Sequence, residues 1–289
     1  MSESAPVFRI NIHQRIDLTM KEFFGFGGYS RMPEGYMSPE HLIFVSSHVI
    51  VMIALAIVFG IRFRGNTEKK RMRPLAVAAI LMDSIEIFKI VIICIRNEDP
   101  LSWLYMLPLF LCSIQLITIP LAAFAKGRVK EAALDFVAIF GLLGAVLGTY
   151  GAGNNYGTYP VLSIDNVASS LTHCIAGFSA LYVLISRSAG LKKRNMPIAF
   201  LILTAFCVAA YAANILLPYN YMFLMRGDGT PYDILYDLLG GNPVLYPLAV
   251  FFLFILYIAV YYLVFYLIKK KKSSSNGRSS EDHPVHNEA

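Results

Sequence analysis

The chain has 289 residues, 56% of them hydrophobic and 15% charged, with a mean hydropathy of +0.57. That balance excludes an ordinary soluble domain and points to one membrane domain. The net charge of +6 is no argument for nucleic acid, because the basic residues are dispersed over loops rather than interleaved with aromatics on one surface.

Residues 1–40 are polar, mixed with Arg9, Arg15, Lys21 and Arg31, so no cleavable signal peptide is expected and the first span is read as the insertion signal. Within them, 7–27 mix apolar and charged residues before a glycine-rich turn, the pattern of an amphipathic segment lying on the membrane interface. A bilayer core takes roughly 20 apolar residues per helix. Seven stretches qualify, at about 41–61, 74–95, 104–125, 132–150, 166–187, 197–217 and 243–268. The expected fold is therefore all-α, a polytopic seven-transmembrane-helix bundle over 41–268.

Lys and Arg orient it. Eighteen lie on the loops 62–73, 126–130 and 187–194 and on the tail after the last span, against six on the opposite side. Positive charge is retained on the cytoplasmic side, so 1–40 are expected to be extracytoplasmic and 269–289 a basic, then disordered, cytoplasmic tail. Lys269–Lys272 add attraction to anionic headgroups. The long loop after span six carries Tyr219, Tyr221, Tyr232, Tyr236 and Tyr246, an aromatic belt expected to fold over the outer mouth.

Four spans place an ionisable group at one depth. Counted at 1.5 Å per residue from the outer ends, Cys112, His173, His48 and Glu86 all fall roughly 11–14 Å deep. Polar groups in hydrocarbon are costly unless they face the interior and find partners, which makes each a functional candidate. Taken singly, Cys112 reads as a small buried hydrophobe, either histidine as an interhelical hydrogen-bond donor, and Glu86 with Asp83 and Lys89 as a structural ion cluster. Gln115 shares the face of Cys112; Asn166, Ser169 and Ser170 precede His173; Asn220 in the last long loop is placed with the same polar set. Pro108, four residues before Cys112, is expected to bend the helix above the thiol and open a pocket. The four cysteines, Cys94, Cys112, Cys174 and Cys207, all lie within spans and are expected to be free thiols rather than a disulfide framework. No HExxH, CxxC, P-loop or GxSxG pattern occurs, so no metal or cofactor is expected. The chemistry this layer permits is acyl transfer or hydrolysis through a thioester, with Cys112 as nucleophile and His173 as base.

The runs LPLFLCSI (Leu107–Ile114), SSLTHCIAGFSALYVL (Ser169–Leu184) and NYMFLMRGDG (Asn220–Gly229) resemble the bacterial YwaF-type integral membrane family over roughly 36–268. That family is similar in turn to the animal transmembrane protein 164 acyltransferases, which rearrange acyl chains on ether phospholipids, and more distantly to the androgen-induced lipid-ester hydrolases. The resemblance implies a phospholipid or other acyl-lipid substrate, a bacterial plasma-membrane location, and Cys112 with His173 at the positions of nucleophile and partner. The family run often reads LPLHLC, whereas Phe110 stands here where that histidine would be. If that imidazole helps activate the thiol, this chain is expected to be weakened or differently tuned. Two readings compete with the enzyme: a small-solute or proton-coupled transporter or sensor using Asp83, Glu86, Lys89 and His48, and a membrane scaffold in which these groups only pack. Against transport, no inverted repeat is evident.

Overall fold

A computed structural model describes residues 19–281, with side chains through Lys270. Among the described residues it is helical without strands. Seven helices carry the architecture: α1 Pro39–Phe63, α2 Arg73–Arg96, α3 Gln115–Phe124, α4 Gly127–Thr149, α5 Ile164–Ile185, α6 Met196–Leu216 and α7 Leu245–Glu281. Of the interfacial stretch expected at 7–27, residues 7–18 lie outside the described residues, while 19–24 are helical and 25–27 form a turn. The backbone of α7 stays helical to Glu281, and tail residues 282–289 lie outside the described residues.

Among the described residues, five helical segments are long and apolar enough to cross a membrane: α1, α4 with the short helix after it to Thr158, α5, α6 with the turn before it, and α7 to Lys270. Seven were expected. The stretch 74–95 is one helix of 24 residues, but Asp83, Glu86 and Lys89 near its middle lower its apolar character. The stretch 104–125 is not a continuous helix: a 3-10 turn spans Ser102–Tyr105, residues 106–114 are non-helical, and regular helix begins only at Gln115. Proline accounts for this. It pushes the preceding Leu107 out of the helical region and supplies no amide of its own, so Leu109 turns back onto the Leu107 carbonyl at 2.7 Å. The depth expected for Cys112 from a helical rise therefore has no helix to rest on.

α5 is the central helix, packed on α1, α2 and α4, while α4 also meets α3 and α6. Lipid supplies no hydrophobic drive between helices, so close approach through small residues has to supply the contact. α5 buries Ala168, Ala176, Gly177 and Ala180, and α4 buries Ala132, Ala133, Ala138, Gly141 and Ala145. A methyl group on Gly141 would stand 2.8 Å from the Ala176 carbonyl oxygen, which measures how near the two backbones run. The outer helices keep large apolar side chains outward, such as Ile43, Ile50, Val58 and Ile61 on α1 and Phe252, Leu256, Leu263 and Leu267 on α7.

One end of the bundle gathers the basic loops. There Asp135 on α4 is fully buried and accepts from the Leu191 amide (2.8 Å), the Lys192 amide (3.2 Å), Asn195 Nδ2 (2.8 Å) and the Tyr262 hydroxyl (3.4 Å). Surface pairs Lys130–Glu68, Lys192–Glu131 and Arg194–Glu131 surround it. The other end gathers 19–38, 97–114, 150–163 and 217–244, joined by Glu34 accepting from the Val161 amide (2.7 Å) and Tyr36 donating to the Tyr150 carbonyl (2.8 Å).

Candidate functional site

A cavity of about 260 Å³ opens among α2, α5 and the non-helical segment before α3, lined by Cys112, His173, Glu86, Lys89, Ser169 and Asp165, with Tyr105, Phe110, Tyr159 and Tyr219 toward the loop end. Cys112 is half-buried, and among the described residues the one hydrogen-bond contact of its sulfur is with the neighbouring Ser113 hydroxyl, at 3.9 Å. The other three cysteines are also free thiols: Cys174 and Cys207 are buried and Cys94 is half-buried. None of them lines this cavity.

Two glycines of α4 make the room for the thiol and the imidazole. A Cβ at Gly144 would stand 3.3 Å from Cys112 Cβ, and one at Gly148 would fall 2.2 Å from the His173 ring. These glycines are one helical turn apart, about 6 Å along the axis, so Cys112 and His173 rest on one face of α4 at adjacent turns. Among the described residues no group hydrogen-bonds to the His173 ring, which lines the cavity with Nδ1 close against Gly148. Glu86 and Lys89, at i and i+3 on α2, form an ion pair at 2.6 Å, with 13% and 16% of their side chains exposed. Pairing is what allows two charges to sit so deep.

The segment carrying Cys112 is held from outside its own helix. Asn214, near the end of α6, grips the backbone of Tyr221 from both sides, accepting from its amide (2.6 Å) and donating to its carbonyl (3.0 Å). Tyr221 in turn donates its hydroxyl to the Leu104 carbonyl (2.5 Å) and accepts from the Leu107 amide (3.3 Å). Phe110 packs into the same cluster, its ring 5.3 Å from Tyr221, 5.7 Å from Phe223 and 6.1 Å from Tyr219. The position resembling a family histidine is thus an aromatic anchor here.

The other members of the expected polar set are placed differently. His48 is half-buried on α1, where Nδ1 donates to the Phe44 carbonyl (2.8 Å) and the ring stands against Phe44; it does not line the cavity. Gln115 is fully buried, its Oε1 accepting from Thr118 (3.0 Å) and its Nε2 without a partner. Ser170 is buried on α5 outside the lining. Asn220 organises the loop, donating to the Arg226 carbonyl (2.7 Å) and Asp228 (2.8 Å) and accepting from the Met225 amide (2.9 Å). Asp83 sits a turn before Glu86 with one carboxylate oxygen buried and unpartnered. Asn166 donates to the Tyr159 and Pro160 carbonyls (3.0 Å each), closing the loop before α5.

Sequence reasoning did not find Asp165, Arg96, Tyr29, Asn214 or the two glycines of α4. A signal existed only for the glycines, whose spacing of four is a small-residue stripe. Among the described residues no three His, Cys, Asp or Glu side chains gather in a way that would hold a metal ion. Comparison with curated proteins and with solved structures gave no match. Residues 36–268, most of the chain, match the TMEM164 family. With its apolar helices, this chain is a multi-pass membrane protein that belongs to the TMEM164 family.

Proposed function

We propose that the protein is a lipid acyltransferase or lipid-ester hydrolase that works through a Cys112 thioester with His173 as base. The observation that carries this reading is the shared cavity in which Cys112, before α3, and His173, on α5, pack against adjacent turns of α4, each at a glycine. A thiol is the strongest nucleophile among the side chains there once it loses its proton, and a neighbouring imidazole is the usual acceptor. Cys112 gives its proton to His173, and the sulfur attacks an ester carbonyl of a membrane phospholipid. The lipid oxygen leaves with that proton, and the acyl chain remains on sulfur. An acceptor hydroxyl, or water, then loses its proton to His173, takes the acyl group and restores the thiol. No cofactor enters this scheme.

In this reading the chain crosses a bacterial plasma membrane seven times, α2 and α3 with its preceding segment completing the five apolar crossings. The amino terminus is outside and the basic end cytoplasmic. The cavity then faces the outer leaflet.

Mass spectrometry on protein reconstituted with mixed phospholipids tests this. A hydroxylamine-labile acyl adduct is expected on Cys112, absent in Cys112→Ser and turning over more slowly in His173→Ala. Complete absence of adduct, with the variants folded and the lipids unchanged, overturns it. A second reading, proton-coupled transport or sensing, is favoured by the unpartnered oxygen of Asp83 beside the Glu86–Lys89 pair. It predicts that Glu86→Gln abolishes function while Cys112→Ala is mild.

A further inference from the structure

A thioester shielded from water is passed to a lipid hydroxyl, whereas one reached by water is hydrolysed, so access to the Cys112 cavity decides the product. A second cavity of about 340 Å³ lies beside the first, lined by Gly25, Gly28, Tyr29, Arg96, Asn97 and Tyr159. Gly28 and Asn97 are exposed, so this outer cavity meets the surface at the loop end. Tyr159 lines both cavities; Asp165 lines the inner one and Arg96 the outer one. The Arg96–Asp165 ion pair therefore stands in the wall between them.

That wall is made of side chains from three parts of the chain. Arg96, the last residue of α2, gives both terminal nitrogens to Asp165 on the first turn of α5, at 2.7 and 3.0 Å. Its guanidinium lies 5.8 Å from the ring centres of both Tyr29 and Tyr159. Tyr29 donates its hydroxyl to Asp165 at 2.5 Å and accepts from Arg96 at 3.2 Å. Burial and the Asp165 carboxylate hold that phenol well above its ordinary pKa, so it stays a donor. Tyr29 reaches this place because Gly25, at φ +70°, lets its ring fold back onto the turn, where a Cβ would stand 2.7 Å from it.

We propose that the Arg96–Asp165–Tyr29 cluster is a gate between the Cys112 cavity and the aqueous side, and that its closure favours acyl transfer over hydrolysis. The second half rests on the acyl-enzyme reading above; the first half does not. Exposed Tyr105 and Tyr219 also line the inner cavity, so the gate controls the route through the outer cavity. With it closed, less water reaches the thiol and a lipid hydroxyl is the favoured acceptor: its proton goes to His173, its oxygen bonds the acyl carbon, the C–S bond breaks and sulfur recovers the proton. With the gate open, water takes the same path and a free fatty acid leaves. Arg96, Asp165 and Tyr29 are positioning residues, acting through access to the thiol.

The test uses full-length protein in lipid vesicles with Cys94, Cys174 and Cys207 replaced by alanine, so that Cys112 is the sole thiol. A charged, membrane-impermeant methanethiosulfonate reagent is added from the loop side. Asp165→Asn keeps the shape and removes the charge; Tyr29→Phe keeps the ring and removes the hydroxyl, and it carries the test if the first variant folds poorly. Labelling of Cys112 is expected to rise about tenfold in either variant, the effect of one hydrogen bond to a charged group on an opening equilibrium. The ratio of free fatty acid to transferred chain should rise with it. Unchanged labelling in folded variants overturns the gate. So does a parallel rise at Cys207 kept as the sole thiol, since that thiol is buried 3.6 Å from the Met222 sulfur and reports general loosening. Faster labelling of Cys112 with no acyl adduct in any variant supports the gate and overturns the acyl-enzyme reading alone.

Discussion

Asp135 on α4 and Asp165 on α5 are both buried carboxylates at opposite ends of the bundle, and only Asp165 borders the Cys112 cavity. Their donors differ in kind. Asp135 takes two backbone amides, a side-chain amide and a phenol from the loop 191–195 and α7. Asp165 is held by Arg96 and Tyr29, both through side chains that can rotate away. A carboxylate filled by backbone donors locks an end shut, because releasing it requires moving a loop. One filled by side chains closes an end that can still open.

The largest effect that would break this comparison is at the locked end. Asp135→Ala strips four donors of their acceptor in a buried site and is expected to cost about 3 kcal/mol, read as a lower thermal midpoint in detergent. A loss under about 1 kcal/mol would show that the loop is held by other contacts.

Next are the glycines that seat the proposed Cys112–His173 pair. Gly148→Ala places a methyl within 2.3 Å of three His173 ring atoms, whereas Gly144→Ala meets Cys112 at 3.3 Å. Overpacking at the first is expected to cost about 1–3 kcal/mol and to displace the imidazole, with slow acyl turnover. At the second, turnover should be largely retained. The reverse order would mean that the pair does not rest on α4 as described.

Smaller still is Tyr221→Phe, which leaves the Leu104 carbonyl and the Leu107 amide without their partner. About 1 kcal/mol of stability is expected to go, and Cys112 labelling should become less uniform as its segment loosens.

The smallest effect sharpens the comparison at the gated end. Glu22 accepts from the Ser30 hydroxyl (2.7 Å) and from the amides of Arg31 (3.0 Å) and Ser30 (3.2 Å), which hold its pKa below the ordinary 4.5. A group with a depressed folded pKa stabilises above its unfolded value and ceases to do so as pH falls through the folded one. The segment 19–38 should therefore be cut faster by an acid-active protease only below about pH 4.5. The Glu22→Gln variant should lack that dependence.

The sequence made much of this legible. Apolar runs located the five helical segments long and apolar enough to cross a membrane but overcounted at 74–95 and 104–125, and the loop count of Lys and Arg predicted which loops would share an end. The cysteine and histidine of the candidate site were legible too, because ionisable groups stand out against hydrocarbon. His48 stood out for the same reason, but its partner is the Phe44 carbonyl one turn before it, a choice that depth alone does not reveal. Asp165 and Arg96 were passed over because each lies at a helix end, where a charge is ordinary.

Composition and periodicity are local properties, and they were enough for the helical class, the membrane setting and the list of reactive side chains. Which of those side chains meet was decided by tertiary structure. Pro108 lies in a non-helical segment where hydropathy alone would run one helix, and Tyr221, more than a hundred residues away, sets where that segment lies. Two glycines on α4 let a thiol and an imidazole approach a backbone that any larger residue would keep away. Contacts of that kind depend on the distance between helices, and helix spacing is set by the packing of all the neighbours at once.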